Sequence, residues 1–145
     1  MSDALSLTLR LDDITPKLDE LMSDELRRKM LLAMGTVVES LAVRAFDEPG
    51  LRPMAWDARK KSKATNPLLI KSGNLRQSIF SQMQGTEAVK VGSPVVYAAA
   101  HQLGSTKKGI PPRPFFPVLN NQLTGNASAE IKDVFSGIVE RAAGR

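Results

Sequence analysis

Leu5, Leu7, Leu9 and Leu11 alternate with Ser6, Thr8 and Arg10 near the start of the chain. That period of two predicts a strand over 4–11 with one buried face. Asp12 and Asp13 close it, and Thr15–Pro16 has the form of an N-cap followed by proline at the first helical position, which predicts a helical turn over 16–22. The period then lengthens. Leu26, Met30, Ala33, Val37, Leu41 and Ala45 recur three or four residues apart, and Met34, Val38 and Ala42 widen the stripe. This predicts a long, largely buried helix, capped by Ser23 or Asp24 and ended by Pro49–Gly50. Gly35 interrupts it at a cost of ~1 kcal/mol relative to Ala, which a close helix or strand neighbour would explain.

Residues 49–67 have no period. They hold three prolines, Gly50, the sole tryptophan Trp56 and the run Arg59, Lys60, Lys61 and Lys63. A loop this long in a compact domain is usually functional or mobile. Residues 68–79 read as a helical turn leading into a strand. Strands over 78–83 and 88–91 follow, joined as a hairpin at Gln84–Gly85–Thr86. Residues 94–103 read as a short helix, with Pro94 near its start and Gly104 past its end. A second polar loop spans 104–114. Phe115, Phe116 and Val118 predict a short strand, which Pro117 confines to an edge. Ile131, Val134, Phe135, Ile138, Val139 and Ala142 then mark a one-sided helix over 128–142, capped by Asn126 or Ser128. The elements predict an α+β fold: a small antiparallel sheet packed against a long helix in the N-terminal half and a C-terminal amphipathic helix. They predict a single domain over 1–145, with extended loops at about 49–67 and 104–114.

Composition narrows the class. The chain has 145 residues, 42% hydrophobic and 24% charged, as expected of one soluble globular domain. A domain of this size buries roughly 68–70% of its unfolded surface and folds without staples. The absence of cysteine excludes disulfides, zinc–thiolate sites and a cysteine nucleophile. No run of apolar residues predicts a membrane span, and the first residues lack the basic and apolar regions of a secretory signal.

Charge is unevenly placed. The net charge is +5, but residues 1–48 carry six basic and ten acidic side chains, residues 49–113 carry eleven and two, and residues 114–145 carry three of each. A basic centre between an acidic and a neutral segment fits an acidic partner surface, nucleic acid, or self-association of one copy's acidic part with the next copy's basic part.

Catalytic chemistry is sparse. His101 is the single histidine, and no carboxylates cluster at ligand spacing, so no cofactor or metal is expected. Residues 104–109 mimic the start of a phosphate-binding loop, but Ile110 stands where lysine is required. Glu130 and Lys132 have the spacing of some metal-dependent nucleases, but they fall on a predicted surface helix with no strand-borne aspartate nearby. No serine lies in a nucleophile elbow. The sequence therefore predicts a protein that is not an enzyme. Nucleic-acid stacking platforms need interleaved aromatics, and only Trp56 lies beside the basic run. A salt-sensitive, non-specific nucleic-acid contact through residues 59–63 is the alternative reading of that run.

A series of short motifs carries more information. Trp56 and the basic stretch are followed by Leu69 to Ile79, with Ser72–Gly73–Asn74–Leu75 inside it. Next come Val91–Gly92–Ser93, Tyr97 to Gly104, and Ile110–Pro111–Pro112–Arg113–Pro114–Phe115–Phe116. In this order the series, over about residues 50–120, resembles the phage virion morphogenesis family, the Mu-G-like and S-type tail-completion proteins of tailed phages. Pro112 departs from the small residue more usual there. The resemblance implies a structural virion protein with no cofactor. It implies a homo-oligomeric ring, most simply hexameric, at the head-proximal end of the tail. The tail tube protein, the head–tail connector proteins and, transiently, phage DNA are its implied partners, with no membrane.

The residues themselves suggest parts for that role. Ser72–Gly73 supplies a turn that Leu75 and Ile79 anchor to the core. Tyr97 and His101 lie four apart on one helix face, where they form a buried polar pair bracing the 104–114 loop or touch a partner. Pro111 to Pro114 are extended and display Arg113 beside Phe115 and Phe116, either as an interface anchor or as a strip with both rings in the core. The expected interface residues are Trp56, Arg59, Lys60, Lys61, Lys63, Lys107, Lys108, Arg113 and Phe115. Ser72, Gly73, Leu75, Tyr97, His101, Gly104, Pro111 and Pro114 form the expected structural frame.

Overall fold

A computed structural model of the chain describes residues 5–11, 23–56, 74–107, 109–119 and 122–142. Strand β1 (Leu5–Leu9) pairs antiparallel with β3 (Ala88–Ser93), which also pairs antiparallel with β2 (Phe80–Gln84). The order is β1-β3-β2, so both outer strands run in the same direction. Leu7 and Ser81 flank Val91, and Leu9 and Met83 flank Val89. These residues make the inner face, because directly opposed residues share a face. Ser6, Thr8, Phe80, Gln82, Gln84 and Lys90 make the outer one.

Helix α1 (Asp24–Arg44) covers the inner face. Ser23 caps it, its hydroxyl accepting from the Leu26 amide at 3.2 Å. A Cβ on Gly35 would lie 2.7 Å from Val89 Cγ2 and 3.2 Å from Ser81 Cβ. Glycine therefore lets the helix sit close on the sheet, the close strand neighbour its presence called for. Helix α4 (Gly125–Ala142) packs along α1 and buries Ala127, Ile131 and Phe135. The core joins Leu9, Met30, Met34, Val38, Leu41, Phe46, Val89, Val91, Phe115 and Ile131. The fold is the expected α+β arrangement, with the antiparallel sheet, the long helix and the C-terminal helix all in place.

Details differ from the sequence reading. The buried stripe of α1 centres on Met30, Leu31, Met34, Val38, Leu41 and Ala42, while Leu26 and Ala33 lie at its margin. The helix stops at Arg44, five residues before Pro49, and Arg52 reaches back to donate to the free carbonyls of Ala45 (2.6 Å) and Phe46 (3.0 Å). The hairpin strands are Phe80–Gln84 and Ala88–Ser93, so β3 runs two residues further than its apolar run, and Gly85 turns between them at φ 62°. Helix α2 is the short turn Asn74–Gln77, and α3 spans Ala98–Leu103, leaving Pro94 outside it. Phe115 and Phe116 belong to no strand. The strand there is β4 (Val118–Leu119), paired with β5 (Gln122–Leu123). Helix α4 begins at Gly125, and its cap is Thr124, whose hydroxyl accepts from the Ala127 amide at 3.3 Å, so Asn126 and Ser128 lie within the helix. The predicted turn over 16–22 lies outside the described residues.

Candidate interface around the Pro111–Pro114 strip

The site is built on the end of α1. Phe46 follows the helix into the core, 5.1 Å from the Phe115 ring and edge-on to Trp56 at 6.1 Å. Trp56 donates from Nε1 to the Pro114 carbonyl at 2.8 Å, and its outer face carries the Arg52 guanidinium 3.6 Å from the ring centre. Burial lowers the Arg52 pKa, opposed by the charge of Asp47. Arg52 thus combines a cation–π contact with capping of the carbonyl end of α1, where a cation is favoured. Asp47 also takes an ion pair from Arg76 of α2 at 2.7 Å.

Helix α3 holds the other side of the strip. Gly104 ends the helix at φ 78°, and a Cβ there would lie 2.9 Å from the ring of Pro112. Both the left-handed backbone and the proline contact therefore require glycine. Residues 105–110 form a tight loop: Ser105 and Ile110 exchange two backbone bonds of 2.8 Å, and Gly109 turns at φ 68°. The chain then returns along α3, where the Arg113 amide donates to the His101 carbonyl at 2.7 Å. Gln102 is 8% exposed, and its Oε1 accepts from the amides of Phe115 (2.9 Å) and Phe116 (3.0 Å). Two buried donors that no strand satisfies are thereby paired.

Tyr97 and His101 meet edge to face, 5.6 Å apart. The pair is only half inside: Tyr97 is 41% exposed, and the buried His101 Nδ1 has no hydrogen-bond partner. Burial first, and the charge of Arg113 second, lower the His101 pKa, so the imidazole is neutral at pH 7. The brace for the 104–114 loop is Gln102, which the sequence reading passed over; a glutamine next to the end of a short helix has no periodic signal. Around the strip, Val96 (88% exposed) and Leu103 (72% exposed) present apolar side chains to the surface.

The model of the phage virion morphogenesis family matches residues 9–140, from the last residue of β1 to near the end of α4. The chain belongs to the phage virion morphogenesis family. No curated protein and no solved structure matches it. Membership gives the protein a part in building a phage virion, in a family whose role is structural.

Within this family member the expected residues separate into three sets. Trp56, Tyr97, His101, Gly104, Pro111, Arg113 and Pro114 converge on the corner just described, although Trp56 and Pro114 are 58 positions apart. Leu75 is buried, as is Ile79, and the two anchor the α2 turn as expected. Lys107 stands exposed on the tight loop beyond Gly104. Phe115 is a correction: with no exposed surface, its ring serves the core between Phe46 and Phe116 and offers nothing to a partner. Both phenylalanines of the strip are core residues, which decides that alternative. Arg59, Lys60, Lys61, Lys63, Ser72, Gly73 and Lys108 lie outside the described residues. Glu130 lies on α4, as the sequence predicted, and among the described residues no three His, Cys, Asp or Glu side chains gather to hold a metal ion. Among them, too, no helix is long and apolar enough to cross a membrane.

Proposed function

We propose that this protein is a tail-completion subunit that closes the head-proximal end of a phage tail and joins it to the head. It works as a homo-oligomeric ring, most simply six-fold, bound between the tail tube protein and the head–tail connector proteins. Its work is binding, with no reaction catalysed. The observation that carries the reading is the family match over residues 9–140, from the last residue of β1 to near the end of α4. The corner around Arg113 supports it. Gly104, Gln102 and Trp56 hold the strip rigid from three sides, and a pre-ordered strip pays less to bind than a loop ordered on contact. Exposed Val96 and Leu103 beside it provide apolar area of the kind that interfaces use. The basic run at 59–63 faces a protein partner in this reading and meets DNA only in passing.

Electron microscopy of lysates from a phage or prophage lacking the gene tests the proposal. Free filled heads beside tails of normal length place the protein at joining, and overlong tails place it at termination. Normal, infectious particles overturn the proposal and favour nucleic-acid binding through residues 59–63.

A further inference from the structure

Among the described residues, nothing pairs with the outer side of β1 or of β2, so both outer strands of the sheet present open edges there. An open edge is a template for another strand, and proteins that keep one unpaired blunt it with lysine, proline or a bulge. Neither edge here is blunted. β1 reads LSLTL and β2 reads FSQMQ, both five residues long, without charge or proline, and both keep unbroken register with β3. The one charged residue of this sheet, Lys90, stands on the central strand, where it protects no edge.

We infer that copies of this chain join edge to edge, β1 of one beside β2 of the next, with the strands parallel. The inference rests on the ring reading above and makes it specific. Three observations select a second copy as the occupant. The two edges match in length. They run in the same direction, so sheet can follow sheet without reversal. Their faces match: Leu5, Leu7 and Leu9 continue the face of Ser81 and Met83, and Ser6 and Thr8 continue that of Gln82 and Gln84. The contact is heterologous, using a different edge on each copy. Such contacts close into rings when the rotation allows, and a closed ring leaves no edge of this sheet open. A pairing of β2 with β2 would instead stop at a dimer and leave both β1 edges bare.

The absence of cysteine in this chain makes the test on the free protein free of background. Thr8 and Gln82 are exposed on the outer face, and adjacent strands lie about 4.8 Å apart, within reach of a disulfide. Thr8→Cys and Gln82→Cys are made singly and together in the full chain, with Gln84→Cys in place of Gln82→Cys to allow for a shift of two residues. Each is oxidised mildly, as concentrated free protein and in assembled particles, and run on denaturing gels without reductant. The expected result is no cross-link in either single variant, a dimer in the equimolar mixture, and a ladder in the double variant. Dimers in Gln82→Cys alone, as strong as in the mixture, overturn the head-to-tail pairing. No cross-link in free protein or particles, while microscopy of the same particles shows a ring, overturns the edge pairing and leaves the ring standing. Particles without a ring overturn both. Capture of β2 by another virion protein, seen as a Gln82→Cys adduct of different mass, also overturns the inference.

Discussion

Gln102 does with one side-chain oxygen what a neighbouring strand would otherwise do. It takes the amides of Phe115 and Phe116, so the strip can bury two rings without joining a sheet. Gln102→Leu keeps the volume and leaves both donors unpaired. At about 1–3 kcal/mol for each buried unsatisfied group, the variant is expected to lose roughly 2–6 kcal/mol of unfolding free energy in urea titration. A loss under about 0.5 kcal/mol would show that water replaces the amide. His101 gives the second residue-scale prediction. Its pKa is lowered in the fold from the ordinary 6.5, so the unfolded chain takes up the proton first as pH falls. The contribution of His101 to stability is intact above about pH 6.5 and is lost as pH drops through the folded value. Melting temperature followed from pH 7.5 to 5 should therefore fall less in His101→Phe than in the parent. An unchanged acid slope would rule the imidazole out. At this scale the sequence was legible at Gly104, placed just past the end of the short helix, and silent at Gln102, whose role depends on what returns to it fourteen residues later.

Elements were more legible than residues. Alternating leucines marked β1, and the three-and-four spacing marked α1 and α4, because one-sided burial writes its period directly into the chain. The stripe of α1 was read nearly in full, with Met30, Met34, Val37, Val38, Leu41, Ala42 and Ala45 all buried; Leu31 was missed, because spacing alone does not say whether it or Leu32 faces inward. The end of α1 was read a few residues late: Pro49 holds Glu48 in extended backbone and has no N–H for the Ala45 carbonyl, which Arg52 takes instead. The short strand at 115–118 was misplaced because aromatic, proline-rich runs suit a sheet edge and a pinned irregular strip equally well. Gly35 carries the prediction for this scale. Gly35→Ala gains about 1 kcal/mol of helix propensity but must displace a β-branched side chain from 2.7 Å. Overpacking of this kind costs about 1–3 kcal/mol. The variant is expected to be less stable by calorimetry, and Gly35→Ala with Val89→Ala should recover part of the loss. A stabilised single variant would mean that α1 rides further from β3.

For the whole molecule, α1 is the shared wall. The sheet, α4 and, through Phe46, the Trp56 corner all rest on it. A single cooperative unit is the expected consequence. Trp56 is the only tryptophan, so its fluorescence reports the corner, while far-ultraviolet circular dichroism is dominated by α1 and α4. The two signals should give one coincident transition in denaturant, and separated midpoints would divide the chain into two folding units. The five acids at positions 3, 12, 13, 19 and 20 and the whole basic run at 59–63 lie outside the described residues.

The outer face of the sheet is poor in charge. Among the described residues it presents hydroxyls at Ser6 and Thr8, amides at Gln82 and Gln84, a phenyl ring at Phe80 and one ammonium, and no carboxylate. The Lys90 ammonium sits 5.8 Å over the Phe80 ring. Grip on a phosphate backbone grows with the number of cations that displace its counterions, at close to one ion per contact. With a single lysine among its described residues, this face offers a phosphate backbone at most one such contact per copy.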